Sequence, residues 1–227
     1  MAIDKTSVVL AHGAWADGSS WHKVIALMRA QRVQAVAAPL PLTSLADDIA
    51  ALERVLARIE GPVVLAAHAY AGAVIGAARH ENVRSLVYIA ALAPDEGETV
   101  ADVFGRAAPH PEAPQLAPDG DGLLWLPESA FGRAFAQHAS AEEQALLAAV
   151  QRPIALRCIT EPVGRPGWRD LPSWYLVAEE DRMIALETQR WMAGRMRARI
   201  VSRAVDHTPS VTAPDEVAGI LFDALRG

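Results

Sequence analysis

The stretch Val63-Val64-Leu65-Ala66-Ala67-His68-Ala69-Tyr70-Ala71-Gly72 decides how this chain is read. Its first half is a short continuous apolar run, the pattern of a strand buried on both faces of a sheet. Its second half keeps small residues two positions either side of Ala69, and a helical pattern follows at once. A strand that bends directly into a helix strains the backbone of the residue at the bend and raises its side chain above the sheet. Bulk at either flank would collide with the adjacent strand and helix. This is the local pattern of a nucleophile elbow. Alanine supplies only a methyl group there, and a methyl group cannot attack a carbonyl.

Outward from this bend, short apolar runs alternate with helical patterns, the signature of parallel βαβ units covered on both faces. Upstream, strands are predicted at Val8 to Ala11 and Val33 to Ala37, and a third ends at Ala66. Crossover helices are predicted at Trp21 to Arg29 and Leu45 to Ile59, the second capped by Ser44. Downstream, Val83 to Ala91 supplies a fourth strand, closed by Pro94. From Asp95 to about Gly167 the chain is rich in Pro and Gly, with helical patches at Pro127 to Gln137 and Ser140 to Val150, and reads as an insertion on top of the sheet. Alternation resumes with strands at Ser173 to Ala178 and Arg199 to Arg203 and helices at Ala185 to Arg195 and Pro214 to Leu225. The expectation is one α/β domain over 1–227. It has about six mostly parallel strands, helices on both faces and a cap at roughly 95–167.

Composition narrows the function classes. A net charge of −6 with dispersed arginines offers no basic surface for nucleic acid. The single cysteine, Cys158, cannot form an internal disulfide, and no Cys/His cluster has metal-ligand spacing, so neither metal nor disulfide is expected. No signal peptide pattern and no apolar run of about 18 to 20 residues is present, so a soluble, cytoplasmic protein is expected that does not insert into a membrane.

The chemistry-bearing residues follow in the order nucleophile position, acid, histidine. Asp181 follows the strand ending at Ala178, and His207 follows the strand ending near Arg203. A histidine so placed can take a proton from a hydroxyl and return it to a leaving group, while a carboxylate fixes its tautomer. Glu179 and Glu180 are rival acids, and Asp95 is a weaker one. After the first strand, His12-Gly13-Ala14-Trp15 occupies the position of a loop that donates one oxyanion-hole amide. Ala14 N–H and Tyr70 N–H are the predicted donors.

The segments His12-Gly-Ala-Trp-Ala-Asp-Gly-Ser-Ser-Trp21, Pro41-Leu-Thr-Ser-Leu-Ala-Asp-Asp48, Tyr88-Ile-Ala-Ala-Leu-Ala-Pro-Asp95 and Ala178-Glu-Glu-Asp-Arg-Met-Ile184 resemble a bacterial group of small esterase-like α/β-hydrolases. That group is similar to plant methylesterases and hydroxynitrile lyases. Its elbow reads His-Ser-Tyr, so the resemblance implies a serine where Ala69 stands. It also implies a carboxylic ester hydrolase acting on a small ester-like molecule through an acyl-enzyme, without cofactor. Losing the serine costs about a million-fold in turnover, so the chain with Ala69 is expected to bind and barely turn over. The intact His207 and Asp181 favour a replaced serine over natural decay. Two alternatives keep the alanine: a His207–Asp181 base dyad serving as lyase, cyclase or cofactor-free oxygenase, and a ligand-binding pseudoenzyme.

Trp15, Tyr70, Phe104, Trp125, Phe131 and Trp168 are candidates for lining an apolar pocket. Trp15 and Tyr70 are placed in the site because they adjoin or carry the oxyanion donors. Gly13 is included for letting the backbone approach the substrate, and Trp125 as the cap's contribution. His68 and His12 read as packed histidines, and His22, His80, His110 and His138 as solvated. Trp174, Trp191 and the Met183 to Met196 segment read as packing.

Overall fold

In the computed structural model, which describes residues 6–227, side-chain alternation along the strands determines how the layers assemble. The strands are β1 (Ser7–Ala11), β2 (Ala35–Ala38), β3 (Val63–Ala69), β4 (Val83–Ala91), β5 (Leu123–Leu124), β6 (Ile154–Ala155), β7 (Ser173–Ala178) and β8 (Arg199–Arg203). Six of them form one sheet in the order β2-β1-β3-β4-β7-β8, with every neighbouring pair parallel.

The helices are α1 (His22–Ala30), α2 (Leu45–Leu56), α3 (Ala71–Ala77), α4 (Val100–Phe104), α5 (Glu128–Ala130), α6 (Ala141–Val150), α7 (Leu156–Thr160), α8 (Leu186–Arg195), α9 (Pro209–Thr212) and α10 (Pro214–Arg226). Val9, Ala11, Leu65 and Ala67 face one layer, where they pack with Leu52 and Leu56 of α2, Val74 of α3 and Met192 of α8. Val8, Leu10, Val64 and Ala66 face the other, against Val24 and Met28 of α1 and Val217 and Leu221 of α10. Each such fully buried Val or Leu contributes about 1.5–3 kcal/mol of hydrophobic stabilisation. Burial on both faces explains why these strands are apolar without alternation.

Ser44 caps α2 by accepting a hydrogen bond from Asp47 N at 3.0 Å. That helix ends at Leu56 rather than Ile59, and β2 starts at Ala35 rather than Val33, whose side chain is nevertheless in the core. The third strand runs three residues beyond Ala66, into the bend itself.

Between β4 and β7 the chain leaves the sheet. There β5 and β6 pair as an antiparallel two-stranded ladder, α7 packs against β6 and α4 against α7, while α5 and α6 pack around Phe131 and Phe135. The patch expected at Pro127 to Gln137 is α5 continued by one π-helical turn, Phe131–Phe135, whose Phe131 carbonyl accepts from Ala136 N at 2.8 Å. Among the described residues, no helix is long and apolar enough to cross a membrane. Strand order reverses between β1 and β3, and a crevice at the carboxyl ends of such strands is where open α/β sheets bind ligands.

Candidate active site

Ala69 closes β3 with φ +50°, in the left-handed region that costs a residue bearing Cβ about 1–2 kcal/mol. Neighbouring strands hold it there. His68 pairs with Ile89 but Ala69 pairs with Ala91, so β4 carries Ala90 as an extra residue, itself at φ +43°. Leu92 N then donates to Ala69 O at 2.9 Å. Clearance depends on glycine at two points. A Cβ on Gly72 would overlap the Leu92 carbonyl oxygen, and one on Gly13 would sit 2.9 Å from the Ala69 Cβ. Gly13 therefore makes room for the bend, and it is not among the residues that line the cavity.

Asp181, in the loop after β7, is buried and accepts four hydrogen bonds. Its Oδ1 takes Met183 N at 2.7 Å and Ile184 N at 2.9 Å, and its Oδ2 takes Gln189 Nε2 and His207 Nδ1, each at 2.9 Å. The carboxylate places the imidazole proton on Nδ1. That leaves Nε2 with its lone pair and, among the described residues, no protein partner. Glu179 and Glu180 turn elsewhere, to Arg190 and Ser202 and to His138 respectively, while Asp95 pairs with Arg169.

The loop bearing His207 is fixed from several sides. Asp206 accepts from Thr208 N, Thr212 Oγ1 and the cap's His138 N. Thr208 Oγ1 donates to Phe135 O at 2.5 Å, and the Phe135 ring meets the His207 ring edge-on at 5.3 Å. His68 donates from Nε2 to the His207 carbonyl oxygen at 2.6 Å. Burial, then the neighbouring His207, pushes His68 down to about 3, so it is neutral and is no general base at physiological pH. His12 is also packed: Nε2 accepts from Leu40 N at 3.2 Å, Nδ1 meets Gly13 O at 3.0 Å, and burial lowers its pKa.

Ala69 and His207 open on one cavity of about 360 Å³, whose walls also include Ala14, Trp15, Tyr70 and Met183. The amides of Ala14 and Tyr70 donate to no protein acceptor among the described residues, which leaves both free for an oxygen on a bound molecule. Among the described residues, His207 and Tyr70 carry the cavity's only titratable side chains, and the Tyr70 hydroxyl is directed away, to Asp48 at 2.7 Å. A base, two unpaired amides and apolar walls can bind a carbonyl group, stabilise negative charge on its oxygen and move one proton. No group of three or more His, Cys, Asp or Glu among the described residues is placed to hold a metal ion.

Other aromatic residues sort by position. Phe104 is at the cavity and 44% exposed. Trp125, expected in the pocket, lies outside it: it is half exposed, its Nε1 donates to Asp119 Oδ2 at 3.0 Å, and its neighbour Leu124 is the one that faces the cavity. Phe131 and Trp168 are buried in the core outside the cavity. Met183 precedes α8 and lines the cavity, so it does more than pack. Trp191 lies between the guanidinium groups of Arg106 and Arg195, at 3.9 and 4.1 Å. His138 is not free, since it meets Glu180 at 2.9 Å. Phe135, Gln189 and Asp206 were not singled out from the sequence, yet they hold the imidazole or its carboxylate.

The model of a family described as the alpha/beta hydrolase family matches residues 8–220. A curated relative, a probable hydrolase of Phoma sp., is 24% identical over 248 residues, covering 97% of this chain and 98% of its own. Among solved structures, polyneuridine aldehyde esterase superposes with a TM-score of 0.85 at 20% identity, covering 97% of this chain and 99% of that one. A histidine-to-alanine variant of tomato methylketone synthase I, in complex with β-ketoheptanoate, superposes with a TM-score of 0.82 at 18% identity, covering 98% of each chain. At these identities the structural matches establish likeness of fold.

Proposed function

Since this chain belongs to the alpha/beta hydrolase family, we propose that its site is that of a carboxylic-ester hydrolase in which alanine occupies the nucleophile's place. One observation carries the reading: Ala69 sits in the strained bend at φ +50° and shares a cavity with His207, whose Nδ1 is bonded to the buried Asp181 behind it. The strain is retained although a methyl group makes no use of it.

With a serine at this bend, its hydroxyl would attack the ester carbonyl as His207 Nε2 takes the proton. The oxygen would gather negative charge between the Ala14 and Tyr70 amides. Collapse would expel the alcohol, protonated by His207, and leave an acyl-enzyme for water to hydrolyse by the same steps. Asp181 would hold the imidazole and stabilise its charged form. The alanine chain lacks the attacking atom, so it binds an ester-like molecule and turns it over about a million-fold more slowly. The test is Ala69→Ser, assayed on aryl esters with short and medium acyl chains. Hydrolysis should appear, and His207→Ala added to it should remove it. A folded Ala69→Ser protein inactive on every ester, lactone and thioester tried would overturn the reading.

A second reading is favoured by the unpaired amides and unspent Nε2 of the alanine chain, together with its likeness in fold to methylketone synthase I. A β-keto acid loses CO2 when its carboxyl C–C bond breaks and the electron pair passes into an enolate. The two amides would stabilise that enolate oxygen, and His207 Nε2, having taken the acid's own carboxyl proton, would return it to the α-carbon to complete a ketone. Under this reading the unsubstituted chain releases CO2 and ketone from β-keto acids faster than buffer, and His207→Ala abolishes the excess. Release at the buffer rate excludes it.

A further inference from the structure

Asp48, on α2, is fully buried yet forms no ion pair among the described residues. A buried carboxylate without a cation is costly, so its partners are informative. Oδ2 accepts from Tyr70 Oη at 2.7 Å, Oδ1 accepts from Leu42 N at 2.7 Å, and Cys158 Sγ lies 3.9 Å from Oδ2. Three donors from three parts of the chain converge on one side chain, and only a carboxylate meets them with acceptors alone.

These contacts lead to the cap. Leu42, at φ +60°, accepts through its carbonyl from Ala155 N of β6 at 2.9 Å. The other free amide is tied to the same place. Ala14 precedes Trp15, whose N donates to Arg152 O at 3.0 Å and whose Nε1 donates to Leu124 O of β5 at 2.9 Å. Leu124 and Ile154 of this β5–β6 ladder also line the cavity.

We propose that Asp48 is a positioning residue, which fixes the Tyr70 amide through the Tyr70 hydroxyl and links that amide to the β5–β6 ladder of the cap. The inference rests on the ester-hydrolase reading of the site for its catalytic consequence, and on geometry alone for the positioning. Asp48 touches no reacting atom. Its effect falls on a group that works in the transition state, so its loss lowers kcat and leaves KM nearly unchanged.

The test uses the Ala69→Ser protein as parent. Asp48→Leu, which removes every acceptor, should lower kcat by about 10- to 100-fold, less than the loss of a whole oxyanion donor. Tyr70→Phe should do the same, and the double variant should be no worse than either single one. Asp48→Asn should recover most of the rate, because its carboxamide still accepts from Leu42 N and can donate to the hydroxyl. An unchanged kcat in Tyr70→Phe, or a loss carried by KM, overturns the proposal even if Asp48→Leu fails to fold. If Ala69→Ser itself has no activity, the reading of the site fails separately. Positioning is then judged in the alanine chain with Tyr70→Phe: loss of the hydroxyl's bond to Asp48 should speed hydrogen exchange at the amides of residues 69–71, which Asp48→Asn should leave slow, and unaltered exchange in Tyr70→Phe overturns it.

Discussion

Replacing the buried carboxylate with its nearest neutral shape, Asp181→Asn, probes the centre of this site. Whichever way the new amide turns, its NH2 must face two donors. On one side these are Met183 N and Ile184 N, and on the other Gln189 Nε2 and His207 Nδ1. The second side is cheaper, since an imidazole can move its proton to Nε2 and accept at Nδ1. Gln189 cannot adapt by flipping, because its Oε1 already accepts from Ala178 N at 3.0 Å. Gln189 Nε2 keeps Ile184 O at 3.0 Å and Ala178 O at 3.4 Å but now faces the new NH2, and the charge-assisted bonds are lost, which costs about 2–4 kcal/mol. For a chain of this length that lowers Tm by about 5–15 °C. Thermal and urea unfolding measure the cost, and ¹⁵N shifts of the His207 ring report the tautomer without any need for turnover. In the Ala69→Ser background the wrong tautomer should lower kcat by about 10⁴-fold. A proton that stays on Nδ1, with stability within about 0.5 kcal/mol of the parent, would refute the reasoning.

Further outcomes follow from neighbouring contacts. His68 has a folded pKa of about 3 against 6.5 when free, so the unfolded chain binds its proton first as pH falls. The resulting stability is fully present above about pH 6.5 and is lost below it at about 1.4 kcal/mol per pH unit, a slope that His68→Gln should reduce in unfolding curves from pH 4 to 7. Gly72→Ala should cost at least about 1–3 kcal/mol in urea unfolding, because its Cβ meets backbone at Leu92 rather than a side chain that can move. Trp125→Ala should leave ligand affinity and ester turnover within about twofold of the parent, since its ring lies outside the cavity.

How far the sequence reveals this site depends on how local each signal is. Strands β3, β4 and β7 are buried on both faces along the apolar runs 63–67, 86–91 and 174–178, and the small residues around Ala69 announce the bend, because both constraints act within a few neighbours. The β5–β6 ladder has two residues per strand, too few for any periodicity, so nothing in the sequence marks it. Phe135 reaches His207 from a π turn, and an i→i+5 bond leaves no pattern distinct from ordinary helix. Trp125 was expected in the pocket because it is aromatic and in the cap. Leu124, the last residue of β5, turns inward and Trp125 after it turns out, which composition alone does not show. Gln189 and Asp206 act through hydrogen bonds to partners 8 and 68 residues away, and no local rule selects those partners.

The most direct test of the central claim asks whether residue 69 is held where a nucleophile should be. An alkyl fluorophosphonate, applied to the Ala69→Ser protein and followed by peptide mass spectrometry, should add one phosphonyl group at residue 69. It should add none to the alanine chain, and labelling should slow by at least about 10³-fold when His207→Ala is also present. A folded Ala69→Ser protein that stays unlabelled, or is labelled elsewhere, would contradict the account.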